Sequence, residues 1–386
     1  MTKKLRVGVL FGGRSGEHEI SLRSAASVLH AIDKKKYEVV PVGITKQGRW
    51  VLGGEADRLL SANGSSAAGV AAGSLMGGSP VGGGSLAPGQ ADPGSALQVG
   101  GQAEALGVDV VFPVLHGTFG EDGTMQGLLE LAGKAYVGSG VLGSAAGMDK
   151  DVMKRLFAAA KLPIVKHVTL LRSEWRESPK KAMSRVEAAL RYPLFVKPAN
   201  LGSSVGISKA HDRSELGPAI DLAASYDRKI VVEQGVGGRA GKSAARAREL
   251  EVAVLGNDRP EASVVGEIVP GKEFYDYEAK YESDTSVPII PAKLTREQSR
   301  RIRQMAIDAF KACDCAGLAR VDFLMEPGKS GRLYLNEINT MPGFTSISMY
   351  PKLWEAAGLP YSELIDRLIG LALETRAEKD ETQYTR

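Results

Sequence analysis

The chain is 386 residues long, more than one ordinary core supports, so two or three domains are expected. Its net charge is only +4, from 49 basic and 45 acidic residues that are interspersed, which gives no basis for a nucleic-acid partner. No stretch approaches the ~18 apolar residues of a membrane span, and two cysteines, Cys313 and Cys315, cannot build a disulfide framework; both read as plain core or helix-end residues.

Residues 1–6 run into a short apolar stretch at 7–11 that is too brief for a signal sequence, so a cytoplasmic location is expected. A strand over 5–11 leads through Gly12-Gly13-Arg14-Ser15-Gly16 to a helix over 21–32 and a strand over 37–44, an α/β beginning. From 53 to 101 the chain turns rich in Gly, Ser, Ala and Pro, with few aromatic or β-branched residues. Such a segment cannot bury enough apolar surface to offset its ordering entropy, and it reads as a flexible insertion. A buried strand over 109–115 ends at His116-Gly117. Helices are predicted over 124–132 and 150–160, and strands over 194–198, 230–233 and 249–255, the last after a basic segment at 237–248. A helix over 297–313 precedes a hairpin, and the charged last ten residues are expected to fray.

The hairpin carries the strongest chemical signal. Side chains on a strand alternate faces, so Arg320 and Asp322 share one face, as do Glu337 and Asn339. The turn-rich 326–331 between them is short enough to pair the strands. One such pair is equally expected on a solvated sheet edge; two in adjacent strands favour convergence of two carboxylates and an amide beside a guanidinium. Hard oxygen donors of this kind suit Mg²⁺, which usually bridges substrate phosphates.

Three glycine-bearing loops compete for a phosphate role. Gly138-Ser139-Gly140-Val141-Leu142-Gly143 matches G-x-G-x-x-G but lacks the acidic residue about 20 positions on that a dinucleotide needs, so it reads as a strand-to-helix turn. At 235–243 the Gly-Lys-Ser of a P-loop is present, but Val236 stands where its first glycine belongs. Lys197 at a strand end, followed by Asn200-Leu201-Gly202-Ser203-Ser204-Val205-Gly206, offers a cation beside exposed N–H groups and hydroxyls, which suits a triphosphate.

Taken together these residues resemble the D-alanine–D-alanine ligases of the ATP-grasp superfamily. The motifs that carry the resemblance follow the family's order. They are Gly12 to Ser21, His116-Gly117 with Gly120-Glu121-Asp122-Gly123, Met148-Asp149-Lys150, Lys197-Pro198 with the 202–206 loop, Phe274 to Tyr281, Arg320-Val321-Asp322, and Asn336 to Gly343. The resemblance implies an α/β (α+β) fold with the three-domain ATP-grasp architecture. The domains are a Rossmann-like N-terminal domain over 1–138, a central domain over 139–232 and a C-terminal domain over 233–386. A homodimer is expected on the same ground.

It also implies site roles. Lys150, Lys197 and Lys280 contact ATP phosphates, Glu233 and Val236 read adenine, and Glu249 holds ribose, although Glu251 shares its strand face. Asp322, Glu337 and Asn339 hold two Mg²⁺ or Mn²⁺. Glu17 takes the first D-alanine's ammonium, with His116 near its carboxylate, and Ser348 and Met349 receive the second carboxylate. Arg320 and the Gly343 N–H stabilise the oxyanion, while Tyr281, Ser203 and Glu17 assist proton loss from the attacking amine. Residues 271–284 are expected to form a lid. The implied activity is ATP-dependent synthesis of D-alanyl-D-alanine through an acyl phosphate, for peptidoglycan precursors. Alternatives are a D-alanine–D-lactate ligase, against which Tyr281 argues, and a non-catalytic nucleotide-binding regulator, against which the intact Lys197, Arg320, Asp322, Glu337 and Asn339 argue.

Overall fold

The computed structural model describes residues 3–61, 106–237, 246–269, 287–328 and 331–383, and three sheets organise them. In the first, β1 (Leu5–Gly12), β2 (Tyr37–Ile44), β3 (Trp50–Leu52), β4 (Val110–Pro113) and β5 (Ala135–Tyr136) are ordered β3-β2-β1-β4-β5. β1 pairs in parallel with both β2 and β4, and from Val7 onward it is buried on both faces, as a central parallel strand must be. The crossover helix His18–Ala31 packs Leu22, Ala25 and Val28 onto Val7, Val9 and Phe11. Strand order reverses between β1 and β4. A crevice therefore opens beyond their carboxyl ends, where open α/β sheets take ligands.

One part of the expected insertion is structured. Gly54–Ser61 form a helix that buries Ala56 and lays Leu59 and Leu60 on the first core. Apolar residues at 56, 59 and 60 have helical spacing, a local signal that the Gly/Ser-rich average of the longer segment hid. From residue 62 to 101 the insertion lies outside the described residues.

The second sheet holds β6 (His167–Leu171), β7 (Leu194–Pro198), β8 (Ser208–Ala210) and β9 (Lys229–Gln234) in the antiparallel order β6-β9-β7-β8. Helices Pro179–Ala189 and Arg213–Tyr226 cover one face of it through Val186, Leu216 and Ile220. The third sheet, antiparallel throughout, is ordered β12-β11-β10-β13-β14. Its strands are β10 (Arg248–Gly256), β11 (Glu261–Val269), β12 (Val287–Ile289), β13 (Gly317–Met325) and β14 (Leu333–Asn339). Helix Arg296–Ala312 lies on it and starts at a capping box: Gln298 N–H donates to Thr295 Oγ1 and Thr295 N–H donates back to Gln298 Oε1.

Two helices tie the layers together. Met153 and Phe157 of helix Lys150–Ala159 join the core of the third sheet, and Leu364, Ile365 and Leu368 of helix Tyr361–Asp380 join that of the first. That last helix extends into the tail expected to fray, because this apolar stripe docks it. Among the described residues, no helix is long and apolar enough to cross a membrane. The G-x-G-x-x-G stretch is a turn from β5 into helix Val141–Met148. A Cβ on Gly143 would fall 2.4 Å from the Asp314 carbonyl oxygen, so that glycine serves close packing.

Candidate active site

Both N-terminal motifs meet at the crevice between β1 and β4. After β1 the backbone turns through Gly12 at φ +90°, where a Cβ would lie 2.2 Å from the Ile44 carbonyl oxygen; only glycine fits. The turn delivers Glu17, 7% exposed, to the start of helix His18–Ala31. Ser21 Oγ in the first helical turn accepts from Gly12 N–H at 2.7 Å and donates to the Val114 carbonyl at 2.5 Å, tying the two strand ends together.

His116, just beyond β4, is buried and bonded at both ring nitrogens: Nδ1 to the Met341 carbonyl at 3.1 Å and Nε2 to Ser24 Oγ at 3.0 Å. A carbonyl can only accept, so Nδ1 carries a proton, and in the neutral ring Nε2 then accepts from the serine. Burial, partly opposed by Glu17, lowers the His116 pKa and agrees with this neutral ring.

Glu121, to which the resemblance assigns no role, lies in the turn after His116-Gly117. It accepts from Gly117 N–H at 2.9 Å and lines the same cavity. Burial, reinforced by Glu17, raises its pKa to about 8. A carboxyl raised in the folded state from an unfolded value of about 4.3 favours folding fully below the lower value. That contribution is lost as pH rises through about 8. Thermal midpoints from roughly pH 5 to 9 should therefore decline more steeply for the natural chain than for Glu121→Gln; parallel profiles would remove Glu121 as the cause.

The loop after β7 closes over Glu17. A Cβ on Gly202 would sit 3.0 Å from Glu17 Oε2, so the glycine lets the backbone pass directly over the carboxylate. Ser203 and Ser204 adopt φ of +48° and +60°, a left-handed pair that costs about 1–3 kcal/mol for each non-glycine residue and marks a functional loop when retained. The conformation lets Ser203 Oγ donate to Glu17 Oε1. Lys150 opens its helix behind the Asp149 cap, which accepts from the N–H groups of Asp151 and Val152, and its Nζ donates to the Leu201 carbonyl at 2.7 Å.

Strands β13 and β14 pair as the alternation predicts, with Arg320 opposite Asn339 and Asp322 opposite Glu337. Val321, Phe323 and Ile338 point the other way, into the core. A bulge at Asn336 interrupts the pairing immediately before Glu337, a device that re-aims side chains beside active sites. Arg320 donates from Nε and Nη2 to the two Asp322 carboxylate oxygens, both at 2.7 Å, and its Nε lies 3.3 Å from Glu251 Oε2. Asn339 Nδ2 donates to Asp322 Oδ2 at 3.0 Å. Burial works against the Arg320 charge, but Asp322 and Glu251 outweigh it and keep the guanidinium firmly protonated. Two carboxylates and an amide on one hairpin face form a hard-oxygen donor set that fits Mg²⁺ or Mn²⁺.

Behind this face lies a buried charge cluster. Glu233, near the end of β9, forms ion pairs with Lys197 Nζ, 2.8 Å from Oε2, and with Lys154 Nζ, 2.9 Å from Oε1. Burial would raise the Glu233 pKa, but the two ammonium groups outweigh it and hold it down at about 2. Burial likewise opposes the Lys197 charge, and Glu233, Glu337 and Glu249 together raise that pKa.

A cavity of about 430 Å³ joins these parts. Among the predicted residues, Glu17, His116, Lys150, Ser203, Arg320, Glu337, Asn339, Gly343, Ser348 and Met349 line it. Lys197, Glu233, Val236, Glu249 and Asp322 stand outside its lining, and Lys280 and Tyr281 lie outside the described residues. Ser348 begins helix Met349–Ala356, and its Oγ accepts from Thr345 N–H at 3.1 Å. Glu251 lines the cavity beside Arg320, which separates it from Glu249 two residues earlier on the same strand. Sequence reasoning missed Lys154, whose signal was its place one helical turn after Lys150.

Residues 6–139 match the family described as D-ala D-ala ligase N-terminus and residues 156–370 the D-ala D-ala ligase C-terminus. The chain is 48% identical to a D-alanine--D-alanine ligase of Geobacillus thermodenitrificans over 386 residues, covering 99% of each. Among solved structures, the D-alanine-D-alanine ligase from Coxiella burnetii superposes with a TM-score of 0.76 at 35% identity, covering 98% of this chain and 97% of that one. The VanG D-Ala:D-Ser ligase from Enterococcus faecalis gives 0.75 at 36% identity, covering 96% and 100%. With both halves matched and the relatives aligned end to end, the chain belongs to the D-alanine–D-alanine ligase family and has its ATP-grasp fold.

Proposed function

We propose that this chain joins two D-alanines into D-alanyl-D-alanine with cleavage of ATP to ADP and phosphate, supplying peptidoglycan precursors in the cytoplasm. The observation that carries the reading is the convergence on one cavity of Glu17, Ser203, His116, Arg320, Glu337 and Asn339, drawn from all three sheet regions.

A carboxylate is a poor electrophile and must be activated. In the first step its oxygen attacks the γ-phosphorus of ATP, giving D-alanyl phosphate and ADP. Glu17 holds that substrate's ammonium while the neutral His116 ring lies near its carboxylate without adding charge. Lys150 and Lys197, with Lys280, take the phosphates; Glu233 and Val236 edge the adenine, and Glu249 holds ribose. Asp322, Glu337 and Asn339 would hold two Mg²⁺, which supply charge neutralisation between phosphate oxygens when bound. In the second step the amine of another D-alanine, its carboxylate at Ser348 and Met349, attacks the acyl carbon. The C–N bond forms, the C–O bond to phosphate breaks, and the ammonium proton leaves through the network of Ser203, Glu17 and Tyr281. Arg320 and the Gly343 N–H face the oxygen that gains charge.

Phosphate release from ATP should require D-alanine and yield the dipeptide by chromatography, with little turnover on L-alanine. Arms with D-lactate and with D-serine, the substrate named for one structural relative, test the choice of nucleophile. Product with D-alanine plus D-lactate or D-serine, and none with D-alanine alone, would overturn the reading.

A further inference from the structure

Glu233 has two ammonium partners, one on each carboxylate oxygen, and they differ in position. The Lys154 side chain is wholly buried, whereas that of Lys197 keeps 11% of its surface exposed. Lys154 Nζ also donates to the Asn336 carbonyl at 3.3 Å, at the bulge that immediately precedes Glu337. Lys154 is thus held from two sides deep in the protein, and Lys197 is the more exposed member of the pair.

We propose that Lys154 is the counter-ion that keeps Glu233 satisfied when Lys197 turns toward the phosphates of ATP, making Lys154 a positioning residue for nucleotide binding. This rests on the reading of Lys197 as a phosphate-binding lysine. A buried carboxylate deprived of a close cation is strongly destabilised. With Lys154 in place, Lys197 can leave Oε2 while Oε1 keeps its ion pair. Without Lys154, engagement of a phosphate by Lys197 strips Glu233 of both ammonium groups, and that penalty is charged against nucleotide affinity. Through Asn336 the same ammonium also steadies the strand at Glu337.

Calorimetric titration with the non-hydrolysable β,γ-imido analogue of ATP tests this on the intact chain. Lys154→Met should bind the analogue about tenfold or more weaker than the natural chain. Lys154→Arg should recover part of that loss. In a Glu233→Gln background, removing Lys154 should cost little further, because no charge is left to satisfy. Equal affinity of folded Lys154→Met and the natural chain would overturn the inference alone, as would losses that simply add in the double variant. Where Lys154→Met does not fold, Lys154→Gln takes its place in the same cycle, and equal affinity of folded Lys154→Gln and the natural chain would overturn the inference. A natural chain that does not bind the analogue overturns the functional reading and this inference with it.

Discussion

Glu337→Gln is expected to lower kcat about a thousandfold or more while raising the apparent KM for ATP far less. Glu337 stands opposite Asp322 across the hairpin and lines the cavity. With Asp322 and Asn339 it makes up the donor set proposed for the two cations. Glutamine keeps the shape but removes a full negative charge and one anionic oxygen, so each cation loses affinity for the site. Charge on the transferring phosphoryl group is greatest in the transition state, and the loss therefore falls on kcat more than on ground-state binding. Steady-state ADP release at several Mg²⁺ concentrations checks this. A variant with unchanged kcat and only a raised KM would show that Glu337 holds no catalytic cation.

The features legible in the sequence were those whose physics is local. Alternation placed Arg320 with Asp322 and Glu337 with Asn339, each pair on one face of its strand, and the register of the hairpin brings the two pairs opposite each other. The strands at 37–44 and 194–198 were found to the residue, because each apolar run is bounded by turn or breaker residues. Missed features depend on groups distant in the chain. Nothing near Lys154 says that its partner is Glu233, since the pair forms only when helix Lys150–Ala159 packs beside the end of β9. Glu121 looked like one acid in a polar turn; its raised pKa comes from burial beside Glu17, which the fold supplies. Glu249 and Glu251 share a strand face in the sequence, and their different neighbours come only from the register: Glu251 pairs opposite Asp322 and beside Arg320, Glu249 opposite Leu324.

Arg320→Lys should lower kcat by roughly 10²–10³ with a smaller change in nucleotide affinity. The guanidinium makes a fork to both oxygens of Asp322 and lies beside Glu251, so its plane is fixed before any substrate arrives. Such pre-organisation is what makes a donor effective toward an oxyanion, because nothing has to reorient as charge develops. Lysine keeps the charge but is a point donor on a flexible stem and cannot reproduce two parallel bonds. Its ammonium must choose among Asp322, Glu251 and the reacting oxygen. Whichever anion it abandons is left partly desolvated. Because the fork also holds Asp322, a proposed cation donor, two readouts are needed to separate the roles. Mn²⁺ affinity followed by electron paramagnetic resonance should change little if the defect lies in oxyanion stabilisation, while single-turnover formation of dipeptide slows in full. A parallel fall in Mn²⁺ affinity and rate would instead assign Arg320 to holding Asp322 in place and remove it from the oxyanion site.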